Sequence, residues 1–514
     1  MPAKIYQKTE PEEDIKTLSQ WLYSYILLKN KMKNHFLQND NHPGLSRFKL
    51  FNHFNPFFIN GNSKYYHFLP FFAISSSFQN NNLEYLEIRQ SPVGDYNSQI
   101  ENNDNLNYNV RGQFHYIIHF RKTLNKKEKI ITQRYKKIRH QVQKECDKLI
   151  NYLRSPQKHK ERIVGIDAAS AEIYNRPEIF GVSYRKLRKM QRLLYHEYGH
   201  LTNSSYNPFK FTFHVGEDFM DIADGLRAID ESILFLQLQK GDRISHALAL
   251  GVDAEEYYRR RNNILVMRKQ DLLDNFVWIY IHINNKICCC TKVINRNAIK
   301  AINELLKVNI KKYGEEIFNY DLSDEKQIFT YHQSMLLRSD DPGLYTNENI
   351  LNAGNDPEKH LNHPEVNNAR TNPEACQYYK DYIYETDMIK KGYEPEEFKV
   401  NGNYIKIIKL LQTQITDQIQ NTGISIEANP TSNFKIGYSK DYSDLPCLKT
   451  YKRKTSYGTT SGIPTSINTD DQGIFNTSIE NEYRLVATAL SIKKKNTYKL
   501  LEEMRQEGFD QKFR

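Results

Sequence analysis

Short apolar runs with polar residues directly behind them recur along the chain, separated by longer stretches of helical periodicity. Leu83-Glu84-Tyr85-Leu86-Glu87-Ile88-Arg89 alternates with the period of a strand and is stopped by Ser91-Pro92. Residues 113–120 read as the next strand, after an Asn-rich stretch over 96–109 that is expected to be a loop. Further strands are expected near 164, 213, 244, 426 and 466. Helical spacing marks 132–153, 183–200 and 222–239, the last with Ile222, Leu226, Ile229 and Leu234 in an apolar stripe. Strands alternating with helices, and polar groups gathered behind strand ends, predict an α/β chain built as a TIM-like (β/α)8 barrel. Only seven strands have candidates, so the first is expected to be lacking. A doubly wound sheet tolerates seven strands and stands as the alternative, although neither G-x-G-x-x-G nor G-x-x-x-x-G-K-[ST] follows a strand.

This pattern divides the chain into a helical segment leading into the barrel (1–82), barrel strands (83–250), a large helical insertion (251–422), and the last strands with C-terminal helices (423–514). The formal net charge of +11 would attract a polyanion. Nucleotide phosphates meet that description as well as nucleic acid does, so RNA stays open as a partner. The lysine pairs Lys126-Lys127 and Lys136-Lys137 read as solvated helix faces, and no RRM, KH, zinc-finger or helix-turn-helix signature accompanies them. Six cysteines without a C-x-x-C pair suit a reduced, cytoplasmic protein, with Cys288-Cys289-Cys290 expected to be buried. No apolar run approaches the length of a membrane span.

The candidate chemistry lies behind the apolar run Phe211-Thr212-Phe213, where His214-Val215-Gly216-Glu217 comes next. Imidazole and carboxylate suit zinc (Zn2+), with a coordination position left for water. His214 and Asp470, each behind a strand, would meet at one mouth of a closed barrel although far apart in sequence. Glu217 would be placed to pass a proton to a substrate nitrogen, His246 to orient the attacking water, and Asp471 to accept a hydrogen bond from a base. His196-Glu197-Tyr198-Gly199-His200 has the H-E-x-x-H spacing of a zinc peptidase but sits on a strongly basic helix with a glycine inside the motif. His115 and His119 lie four apart on a strand, roughly 14 Å from one another, too far for one ion.

As a set, H214-V-G-E217, G241-D-R-I-S-H246, I426-E-A-N-P-T-S-N433 and N468-T-D-D471 resemble the adenosine deaminase family, and Y85-L-E-I-R-Q-S-P92 and V164-G-I-D-A-A-S-A-E172 look like two further family segments. The resemblance implies a zinc-containing β/α barrel that hydrolyses the 6-amino group of adenine in a nucleoside or nucleotide. Zinc would be held partly by His214 and Asp470, Glu217 would protonate N1, His246 would act on the water, Asp471 would contact N7, and Gly165 and Asp167 would line the pocket. The family brings two more zinc histidines from an H-x-H strand, whereas no two of the sixteen histidines here are separated by one residue. This departure implies a chain that is N-terminally incomplete, and it keeps a catalytically inactive deaminase-like fragment or assembly scaffold as the alternative reading. The long insertions resemble the large deaminase component of the bacterial antiphage RADAR system. That likeness implies a homo-oligomer, an AAA+ ATPase partner, and conversion of adenosine or ATP to inosine or ITP.

Overall fold

The computed structural model describes residues 83–513 except 93, 107–111, 124–132, 157–158, 199–208, 287–295, 347–357, 438, 440, 452, 455–459, 476 and 493–496, together with a few positions before Leu83. His200, Cys288, Cys289, Cys290 and nearly all of the expected segment 1–82 lie outside the described residues. The main sheet contains β1 (Tyr85–Gln90), β2 (Gln113–Lys122), β3 (Ile163–Ser170), β4 (Lys210–Val215) and β5 (Arg243–His246). Two strands of the insertion, β6 (Ile264–Arg268) and β7 (Pro395–Lys399), precede β8 (Ser425–Ala428). The short β9 (Arg453–Lys454) and β10 (Thr460–Ser461) form a separate pair before β11 (Thr465–Ile467).

The seven-stranded sheet runs in the order β1-β2-β3-β4-β5-β8-β11, and each neighbouring pair is parallel. The order never reverses, so the sheet has no switch point of the doubly wound kind. Strand spacing shows that it is curled. Five steps separate β1 from β8, which would be about 24 Å in a flat sheet. Yet the Arg89 guanidinium of β1 is ion-paired with Glu427 of β8. Arg243 of β5 likewise meets Glu87 of β1 at 2.5 Å. The result is an open, curled parallel sheet of the incomplete β/α-barrel type. Among the described residues β1 and β11 are its edges, and the helix Thr497–Asp510 packs along β11.

Alternation explains how the strands sit. Phe114, Tyr116, Ile118 and Phe120 of β2 enter the outer core beneath the helices, while Ile117 belongs to a separate inner cluster with Val164 and Phe513. The Asn-rich stretch is a correction: residues 96–106 form helix α1 (Tyr96–Leu106) rather than a loop. Asn is a poor helix former, but Tyr96 and Ile100 are buried on one face. Asp95 accepts a hydrogen bond from the Ser98 backbone N–H at 3.1 Å, which satisfies a free donor of the first turn.

The insertion is mainly helical and contains the antiparallel pair β6/β7, which the periodicity does not reveal. The run Ile264-Leu265-Val266-Met267 leads straight into a helix at Lys269, and a short apolar run has no distinctive period. Asp274 and Arg338 form a buried ion pair at 2.5 Å within it. Two tyrosines fasten the insertion to the barrel: Tyr258 and Tyr404 each donate to Asp221, just ahead of the helix Ile222–Phe235, at 2.6 Å. No helix among the described residues is long and apolar enough to cross a membrane.

Burial alone would raise the Glu427 carboxyl, but Arg89 and Arg243 outweigh it and bring its pKa down to about 2. A folded pKa below the unfolded value gives stability that is complete above about pH 4.3 and is lost as pH falls through about 2. Urea unfolding as a function of pH should therefore show an acid-side loss on the order of 3 kcal/mol from this group. Glu427→Gln should start less stable at neutral pH and lose less on acidification; an unchanged acid limb would contradict the assignment.

Candidate active site at the carboxyl ends of the strands

Four chain reversals build the site. His214 lies in β4, and Gly216, just past the strand, has φ +74; a Cβ at Gly216 would come within 2.7 Å of Ile229, so glycine answers both conformation and space. Ser170 ends β3 with φ 93, His246 ends β5 with φ 67, and Asp470, three residues past β11, has φ 54. Left-handed backbone at a non-glycine residue costs on the order of 1–3 kcal/mol and concentrates at functional sites. Here it occurs beside the same mouth of the sheet at three strand ends, with Ala247 directly after His246 adding a fourth such residue at φ 49.

These turns bring Glu217, His246 and Asp470 together, with one ligand atom from each lying within 4.8 Å of the others. Glu217 and His246 are buried, and Asp470 is half-buried. Glu217 Oε1 is 3.2 Å from His246 Nδ1 but makes no hydrogen bond. His246 Nδ1 instead has Asn433 Oδ1 at 2.7 Å, and the Asn429 amide lies 3.4 Å from the same ring nitrogen. Burial, reinforced by the neighbouring carboxylates of Glu172 and Asp470, pushes the Glu217 carboxyl well above the usual carboxylate range. A buried acid among other acids is protonated near neutral pH or neutralised by a cation.

His214 stands beside this trio, its ring centroid 4.9 Å from that of His246. Its Nδ1 faces Asp167 at 3.0 Å, which fixes the ring and leaves Nε2 for another partner. Burial would raise the Asp167 carboxyl, but His214 and Arg89 prevail and hold it well below its ordinary value. Asp167 also accepts from Arg89 Nε at 2.8 Å and from the Ala168 N–H at 2.7 Å. It therefore braces His214. Gly165, two residues earlier on β3, packs against the Phe513 ring and Ile117, so the structure does not bring it to the trio. Asp471 is exposed, and its N–H donates to Asp470 Oδ1 at 2.8 Å.

Several participants are not individually legible in the sequence, although most lie inside the motifs. Glu172 Oε2 accepts the backbone N–H of Glu217 at 3.2 Å and of Asp218 at 3.5 Å, holding the turn that presents Glu217. The ammonium of Lys122, fully buried, donates to the His214 carbonyl and lies 4.0 Å from the centroid of the Phe213 ring. His119 is pushed down to about 4 by burial, so it is neutral at physiological pH, and its Nε2 is 3.1 Å from Ser91 Oγ. Alternation on β2 is the available signal for His119, since it faces the side opposite Ile118 and Phe120.

A comparison with protein families matches residues 407–509 to the adenosine deaminase family. That stretch takes in β8, Asn429, Asn433, β11 and Asp470, whereas His214, Glu217 and His246 lie outside it. No curated protein matches the chain. Among solved structures, an adenine deaminase from Arthrobacter aurescens aligns with a TM-score of 0.42 at 10% identity, over 92% of this chain and 81% of that one.

The residues present fit a divalent cation. Two carboxylates and one imidazole converge, and one carboxylate oxygen is buried without a hydrogen bond, a donor set that suits a divalent cation with a position left for water. Titrating metal-stripped protein with Co2+ should give a d–d absorption band that saturates at one ion per chain. Asp470→Asn should weaken that binding at least about tenfold; identical isotherms would exclude Asp470 as a ligand.

Proposed function

We propose that this chain is a hydrolase that removes the 6-amino group of adenine in adenosine or an adenine nucleotide, giving inosine or ITP. The observation that carries the reading is the convergence of Glu217, His246 and Asp470 from three strand ends, in a chain whose residues 407–509 match the adenosine deaminase family. His214 and Asp470 would hold zinc, which when bound supplies Lewis-acid activation of water at neutral pH. Bracing of the His214 ring by Asp167 supports that assignment, because it directs the free nitrogen away from the brace.

The chain's own groups account for the proton traffic. Burial and the neighbouring carboxylates of Glu172 and Asp470 raise the Glu217 pKa, which favours the protonated acid that can donate to N1 while water adds to the adjacent carbon. His246, its Nδ1 occupied by Asn433, takes the water proton at Nε2. The same proton then passes to the departing nitrogen, the hydroxyl left on the carbon returns its proton to Glu217 as the carbonyl forms, and ammonia leaves with both groups restored. Asp471 would accept from or orient the far edge of the purine. Burial of Glu217 and His246 keeps bulk water from short-circuiting these transfers. The homo-oligomer, the AAA+ ATPase partner and the antiphage role rest on the resemblance of the insertions alone.

Ammonia release and the absorbance change of purine conversion should be measured with adenosine, ATP and RNA, with and without EDTA. Conversion of adenosine or ATP that EDTA abolishes and zinc restores is the expected result. Glu217→Gln should lower turnover by about 10²–10⁴-fold while the fold is retained. Near-wild-type turnover in that variant, or conversion confined to RNA, would defeat the reading as stated.

A further inference from the structure

The amino-end opening of the curled sheet is filled by the chain's own segment 511–513. Phe513 is fully buried against Ile117 and Val164. Its ring lies 2.6 Å from where a Cβ on Gly165 would stand. The Phe513 N–H donates to Glu87 Oε1 at 2.9 Å, and its carbonyl accepts from the Tyr85 hydroxyl at 2.6 Å. The Arg243 guanidinium is 3.4 Å from the centroid of the Phe513 ring and also reaches the Gln511 carbonyl at 3.4 Å.

Arg243 begins a continuous run of charged contacts toward the opposite mouth. It pairs with Glu87 at 2.5 Å and with Glu427 at 2.8 Å. Glu427 also accepts from Ser245 Oγ at 2.9 Å and pairs with Arg89. Arg89 Nε meets Asp167 at 2.8 Å, and Asp167 holds His214 Nδ1 at 3.0 Å. We propose that Phe513 is a positioning residue for His214: its ring pins Arg243, Arg243 divides its charge between Glu87 and Glu427, and Glu427 with Arg89 sets the carboxylate that fixes the imidazole. The physical reason is scarcity of water. Inside the sheet each carboxylate has few alternative partners, so a guanidinium freed at one end forces its acids to re-pair along the row. The flat aromatic face also suits a guanidinium better than an aliphatic side chain of similar bulk does.

The test uses the full chain labelled with 15N-histidine, in which a ring N–H of His214 donating to Asp167 gives a downfield, exchange-protected resonance, assigned with His214→Gln. Phe513→Leu retains apolar bulk and removes the aromatic face; Phe513→Ala removes both. Val164→Ala is the packing control, since Val164 shares the inner cluster with Phe513. The expected result is a shifted or exchange-broadened His214 resonance in Phe513→Leu at nearly unchanged melting temperature, with no such change in Val164→Ala. For the deamination proposed above, on which the kinetic arm rests, kcat should fall about tenfold with KM within about twofold. An unaltered resonance in a folded Phe513 variant overturns the proposal, and so does unfolding of both variants, because the residue would then be part of the core only. Wild-type protein that releases no ammonia would sink the deamination reading while the resonance still decides the role of Phe513.

Discussion

The row of buried ion pairs inside the curled sheet is the constraint on which the rest of the molecule depends. Arg89, Asp167, Glu427 and Arg243 belong to four different strands yet are ion-paired with one another in a row. Desolvating such groups is costly, and the cost is offset only when geometry is good and every lone pair has a partner. That requirement fixes how tightly the sheet curls. It also fixes how far the strand ends stand from each other, and hence whether Glu217, His246 and Asp470 can meet.

Electrostatics divides the carboxylates into two populations. Asp167 sits against Arg89, Glu427 lies between Arg89 and Arg243, and both carboxyls are held low, so they remain charged and act as braces. Glu217 is equally buried but neighbours Glu172 and Asp470 and is driven up. One interior thus supports both a permanently ionised scaffold and a carboxyl able to carry a proton, and the difference arises from neighbours, not from residue type. The backbone adds to this division. Left-handed conformations at Ser170, His246 and Asp470 are tolerated at the turns that present reacting groups.

Much of this is legible in the sequence because a strand shows itself twice, by alternation and by the polar residues at its carboxyl end. All seven strands of the main sheet fall where apolar runs with polar ends predict them, and the convergence of His246, Glu217 and Asp470 stems from their common place behind those runs. The helix at 96–106 is illegible because its composition argues for a loop, while its stability comes from burying Tyr96 and Ile100 against distant residues. The pair β6/β7 is hidden for another reason: β6 runs straight into a helix at Lys269, and β7 has no apolar run, Phe398 being its single buried residue. Partners such as Asp167 for His214 and Asn433 for His246 are set by tertiary geometry, which no spacing rule encodes.

The clasp at Asp221 bears on how such a chain can diversify. Its carboxyl accepts hydroxyls from Tyr258 and Tyr404, near the opposite ends of the inserted region, and burial raises its pKa to about 6. Excising the region together with these two tyrosines would strand a solvent-excluded acid next to the helix after β4. The inserted region is therefore not an ornament that evolution or an engineer can remove freely: losing it whole requires a simultaneous change at position 221, which makes gain or loss of the region a coupled, two-site event.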